Sequence, residues 1–170
     1  MFMRAISFVR WIAWGLSVVL LAACGDSGPG SPTDPGGLSE AQVEALSFQL
    51  LNEARAAEGI EPSLVQDPGL AEIARLYSRQ MRDLGFFSHV DPDGHDLTFR
   101  LRAAGVAFTA AGENLAFVTN ASDPAGFAHV RFLQNPEHRA NILDRRLTHA
   151  GVGVARQGSD YWITQLFVRR

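Results

Sequence analysis

The stretch HAGVGVARQGSDYWITQLFV, His149–Val168, decides the fold class. Up to this point apolar residues recur at helical spacing. Here they alternate instead, first over HAGVGVAR and then over YWITQLFV, which is the signature of extended strands. Gln157 to Asp160 forms the turn that joins them. A two-stranded hairpin alone is marginal in water, so this pair needs a third strand and helices to cover it. The reading is an α/β domain with helices layered on a small sheet.

Helical signals fill the chain upstream of the hairpin. Asp123-Pro124 begins a helix that runs to about Gln134, Asn135-Pro136 interrupts it, and His138 lies in the first turn of a new short helix within NPEHRANIL, Asn135–Leu143. Asp96 to Ala104 predicts another short helix ended by Gly105, and AAGENLAF is expected to bend at Gly112. Asp91-Pro92-Asp93-Gly94 reads as a turn. Asp67, as N-cap, and Pro68 open a longer helix whose buried stripe is expected to be Leu70, Ile73, Ala74, Tyr77, Met81 and Leu84, terminated by Gly85. Ser39 and Gln42 make a capping box, Val43, Leu46, Leu50 and Ala54 follow at helical spacing, and Gly59 ends that helix. Between these two helices IEPSLVQ is a candidate short strand.

The N-terminus has a different character. Arg4 and Arg10 precede an apolar run from Trp11 to Ala23 and then Cys24, which reads as a secretory signal over residues 1–23 rather than a spanning helix. LAAC resembles the bacterial lipobox, whose cysteine carries the lipid. That resemblance implies lipidation of Cys24 and an extracytoplasmic domain anchored to a membrane of the bacterial cell envelope. Residues 24–37 read as a flexible Gly/Pro/Ser tether, and the folded domain is placed at 38–170.

Composition excludes several chemistries. Net charge is −3, which suggests no nucleic-acid partner. All 15 basic residues are arginine, so lysine Schiff-base catalysis is ruled out. The lone cysteine permits no intrachain disulfide and, at the anchor, no catalytic thiol. H-E-x-x-H, paired C-x-x-C and G-x-S-x-G motifs are missing, and the glycines of GVGVA precede no helix that would make them a phosphate loop.

Eight blocks then carry a resemblance: LLNEARAAEG, DPGLAEIARLYSRQM, GFFSHVDPDG, FRLRAAG, AGENLAF, NPEHRANIL, THAGVGVA and YWITQLF. Their order and content, above all GENLA followed by HRANIL with SH upstream, resemble the CAP superfamily of SCP-like domains, relatives of cysteine-rich secretory, antigen 5 and pathogenesis-related 1 proteins. The resemblance covers about Leu46 to Phe167. It implies a three-layer α-β-α sandwich with a small, largely antiparallel sheet and a cavity lined by histidines and glutamates. By position, His89, Glu113 and His138 match the family's site residues, with His149 a weaker candidate. No acid matches the family's second glutamate, since Asp123 lies too early and Glu137 adjoins His138, and Phe132 stands where a tryptophan is usual. A His-Glu-His cluster is therefore implied rather than a complete tetrad.

Two readings of that cluster stay open. In one, His89 and His138 bind a divalent metal such as zinc, with Glu113 nearby as base or supporting partner. In the other, His138 and Glu113 hydrogen-bond each other and neighbouring backbone to hold the loops of the cleft. Asn141 and Arg139 read as structural, His95 and His129 as residues without a role, and Phe86, Phe87, Phe117, Phe127 and Trp162 as core. The resemblance implies a binding module for a lipid, a cell-wall component or a protein. The alternative is a metal-assisted or glutamate-based, peptidase-like hydrolase using Glu113 or His138, and whether the chain is an enzyme stays open.

Overall fold

A computed structural model of the chain describes residues 37–170. The expected signal peptide, Cys24 and all but the last residue of the tether lie outside the described residues. The elements follow in the order α1 (Glu40–Ala57), β1 (Val65–Gln66), α2 (Pro68–Leu84), α3 (Leu97–Ala103), β2 (Ala110–Thr119), α4 (Pro124–Gln134), α5 (Pro136–Leu143), β3 (His149–Gln157) and β4 (Asp160–Arg169). The sheet runs β1-β3-β4-β2, with β1 parallel to β3 and the other pairs antiparallel. The hairpin read from the sequence is thus the centre of the sheet.

Successive β4 residues point to opposite faces. Leu166 and Val168 pack with Leu70 and Ala74 of α2 and Leu101 of α3. Ile163 and Phe167 join Val43 and Leu51 of α1, Ala125, Ala128 and Phe132 of α4, and Ile142 of α5. Two helical layers therefore sandwich one sheet, as the resemblance implies. The α2 layer comes very close: a Cβ on Gly151 would lie 2.6 Å from the Leu70 Cβ, and one on Gly153 would lie 2.7 Å from the Arg75 Cα, with backbone atoms nearer still. Gly151 and Gly153 are the flat seat on which α2 rests.

The local start signals hold. Ser39 and Gln42 form the capping box, Asp67, Asp96, Asp123 and Asn135 cap their helices, and Gly85 closes α2 in the left-handed conformation. Three expectations fail. Leu84, expected in the buried stripe of α2, is 60 % exposed. The buried stripe of α1 is Val43, Ser47, Leu51 and Arg55 rather than Val43, Leu46, Leu50 and Ala54. Arg55 is only 1 % exposed because its guanidinium donates to the carbonyls of Ile142, Asp144 and Leu147, tying α1 to the α5–β3 connection. Gly112 does not bend the chain: β2 runs unbroken for ten residues. A Cβ there would stand 2.6 Å from Asn141 Oδ1, so the glycine makes room for α5.

The two long sides of the sheet are finished differently. Where β3 extends beyond β1, its outward N–H groups are capped from α1: Val154 N–H donates to Glu44 (3.1 Å) and Arg156 N–H to Glu40 (2.8 Å). β2 forms the opposite side.

Candidate binding site

Glu113 anchors the site. Its position on β2, paired with Leu166, turns its side chain into the α2–α3 layer, where it is almost fully buried. A carboxylate there needs partners. Arg100 of α3 forms an ion pair with Oε2, and His89 Nδ1 lies 2.7 Å from Oε1. Arg100 also donates to the carbonyls of His89 (3.3 Å) and His95 (3.4 Å), which pins the loop between α2 and α3. Below it, the Tyr77 ring lies 3.4 Å from the guanidinium carbon, a cation–π contact, and the Tyr77 hydroxyl donates to Ser88 O at 2.6 Å.

His138 enters from the other layer. Asn135 caps α5 by accepting from the N–H groups of Glu137 and His138, which fixes the first turn, and the imidazole meets the Phe132 ring edge-on at 5.2 Å. An amide relay ties this turn to the sheet. Asn114 donates to His138 O (3.2 Å) and Gln165 (3.1 Å), while Asn141 donates to Glu113 O (3.1 Å) and Asn114 Oδ1 (2.9 Å). The expected bond between the Glu113 and His138 side chains is not made; the carboxylate pairs with Arg100 and His89 instead. The network reading survives in altered form, with asparagines as the links.

The two imidazoles are driven apart in acidity. His89 is raised above its ordinary value chiefly by the hydrogen bond to Glu113, against the opposing effect of burial. His138 is lowered, first by burial and then by the charge of His89, while Glu137 acts in the opposite sense. Near neutral pH His138 is therefore a neutral imidazole beside a histidine that tends to hold its proton. With Nδ1 committed to Glu113, His89 can offer a metal only Nε2, and only when that nitrogen gives up its proton.

His149 heads β3, bonded to Thr148 Oγ1 at 2.8 Å and paired with Val168, so β4 separates it from Glu113. His95, read as having no role, stacks on Phe99 with ring centroids 3.8 Å apart. It also belongs to a group with Asp91 and Asp93 whose potential ligand atoms lie within 4.8 Å of one another. Asp91 there already accepts from the N–H groups of Asp93 and His95 and from Gln80. Phe87, Phe117 and Phe127 are not core as read from the sequence but 51, 45 and 48 % exposed. With Phe132 and His138 they line a groove of about 280 Å³ beside β2.

The family model for cysteine-rich secretory proteins, CAP, matches residues 48–167. The chain belongs to this family. Bacillus subtilis protein YkwD is 33% identical over 131 residues, 76% of this chain and 48% of YkwD. The SCP domain of an extracellular Bacillus anthracis protein aligns with a TM-score of 0.68 and 32% identity, over 79% of this chain and 45% of that one. An outer surface protein of Borrelia burgdorferi shares the fold at a TM-score of 0.69 with 16% identity, over 78% of this chain and 96% of its own. The CAP chain described here spans about half the length of YkwD and of the Bacillus anthracis protein.

Arg100, Asn114 and Gln165 are the residues of this CAP site that sequence reasoning missed. A glutamate inside an apolar strand calls for a cation, and Arg100 lies in the quoted block FRLRAAG, but nothing local joins the two.

Proposed function

We propose that this CAP domain is an extracytoplasmic binding module, anchored to the bacterial envelope through lipidated Cys24, whose ligand engages the cleft at His89, Glu113 and His138. The lipobox-like LAAC supports the anchor, and the extracellular Bacillus anthracis relative supports the location. The observation that carries the module over the hydrolase is the engagement of Glu113. The carboxylate is buried and each oxygen already accepts a bond, one from Arg100 and one from His89, so a substrate proton would have to compete with both. In the same reading His138 and the free Nε2 of His89 take a divalent metal such as zinc. The metal would supply an exchangeable coordination site for an anionic or carbonyl group of the ligand.

Calorimetric zinc titration of residues 38–170 tests this. Micromolar binding near pH 7.5 that is lost on acidification, in His89→Ala and in His138→Ala, but kept in Asp91→Asn, is the expected result. Loss in Asp91→Asn alone would move the metal to the 91–95 turn. No binding by the parent domain would remove the metal and leave the histidines as structural. Peptide turnover abolished by Glu113→Gln would overturn the module in favour of the hydrolase.

A further inference from the structure

We propose that the free side of β2 is a peptide-docking site, where an extended partner segment bearing apolar and acidic residues adds to Leu115–Phe117 as a fifth strand. The argument begins with backbone direction. β2 ends the strand order and, among the described residues, pairs only with β4. In an antiparallel ladder alternate residues turn N–H and C=O toward or away from the neighbour. Asn141 Nδ2 reaches the carbonyl of Glu113, so Glu113 is one of those facing away. Leu115 and Phe117 share its direction. Asn141 satisfies Glu113, but among the described residues no group accepts from or donates to the outward backbone of Leu115 and Phe117.

The contrast with β3 is informative, because there Glu40 and Glu44 block the outward N–H groups. Open strand edges invite pairing and are usually blunted by charge or cover. On β2 the opening is instead built into a groove. Leu115, Ala116, Phe117 and Val118 all line it, and four successive strand residues share one groove only where it runs along the strand's edge. Phe87 rises from the loop after α2, and Phe127 and Phe132 rise from α4.

The groove also indicates its occupant. Its backbone donors and acceptors call for a second extended backbone, and its phenylalanines for apolar side chains. Arg131 in the wall lies over the Phe127 ring at 5.3 Å and has no carboxylate partner among the described residues. No acid among the described residues lines the groove. A carboxylate on the incoming strand complements that charge. The tether, GDSGPGSPTDPGG, lacks the apolar residues the walls would meet. The inference does not depend on metal binding at the histidines.

The test uses the full-length chain in detergent micelles and the blocked peptide acetyl-Glu-Val-Phe-Val-Glu-amide. Hydrogen exchange at the Leu115 and Phe117 amides should slow at least about tenfold at saturation, while Ala116, already bonded to β4, stays unchanged. N-methylation of alternate peptide nitrogens should weaken binding by about tenfold, as should Arg131→Gln. Phe117→Pro removes an outward N–H without taking a bond from β4, and should abolish the effect with the fold retained by circular dichroism. Three results would overturn the proposal. They are unchanged exchange at millimolar peptide, equal binding of the N-methylated peptide, and protection of both amides without peptide that disappears on dilution, the mark of a second copy in the groove.

Discussion

The seat of α2 on the sheet makes a quantitative prediction. Gly153→Ala adds one methyl group 2.7 Å from the Arg75 Cα, with backbone atoms closer still, where ordinary carbon contacts are about 3.5–4.0 Å. Both parties are main chain, so no rotamer change relieves the overlap and α2 must lift by roughly 1 Å, enough to forfeit about half of each contact's attraction. Leu70, Ala74, Tyr77 and Met81 move with it, and Ser78 loses its bonds to Gly153 O (3.0 Å) and Thr164 (2.8 Å). Overpacking of this kind costs about 3 kcal/mol, and the two hydroxyl bonds add about 1 kcal/mol each. The total of about 5 kcal/mol corresponds to a fall in Tm of roughly 15 °C for a domain of this size. Gly158→Ala is the control. Its φ is +60° and nothing lies within 4 Å, so only left-handed strain of about 1 kcal/mol applies. Thermal unfolding of both variants decides the matter: equal losses, or a larger loss in Gly158→Ala, would refute direct contact between α2 and β3.

Arg100→Met leaves Glu113 buried without its cation and should lower stability by about 3–5 kcal/mol, part of which returns in the double variant with Glu113→Gln; urea unfolding midpoints measure both. Imidazole proton shifts followed against pH should place the His89 midpoint above 6.5 and that of His138 below it, and Glu113→Gln should bring His89 down. The linked stability has two signs. The His89 contribution is complete below about pH 6.5 and is lost as pH rises through its raised pKa. The neutral preference of His138 is fully expressed above about 6.5, and stability falls as pH drops from there through its lowered pKa. Two histidines titrating together near 6.5 would contradict the arrangement.

What could be read in the chain was what it settles within a few residues. Ser39 with Gln42, Asp67-Pro68, Asp123-Pro124 and Asn135-Pro136 each satisfy a helix start locally, and each was legible. Alternation over His149–Val168 was legible for the same reason, since strand period needs no distant partner. The failures share the opposite property. Arg55 outranks Ala54 as a buried residue only because three carbonyls arrive from Ile142 to Leu147. Gly112 looked like a bend because Asn141, which fills the space above it, is far along the chain. His89, Glu113 and His138 came from the family resemblance, not from spacing. Arg100 was invisible because its reason for being there is a desolvated carboxylate on another element. The exposed phenylalanines were misassigned because composition cannot tell a core from the wall of a groove.

The strand order has a consequence for the life of the molecule before it is folded. β3 and β4, the middle of the sheet, follow every other described element along the chain, and α2 packs chiefly on them. Element-by-element folding from the N-terminus leaves α2 waiting for that floor. A polypeptide cut before Asp160 carries its helices with half of that floor missing.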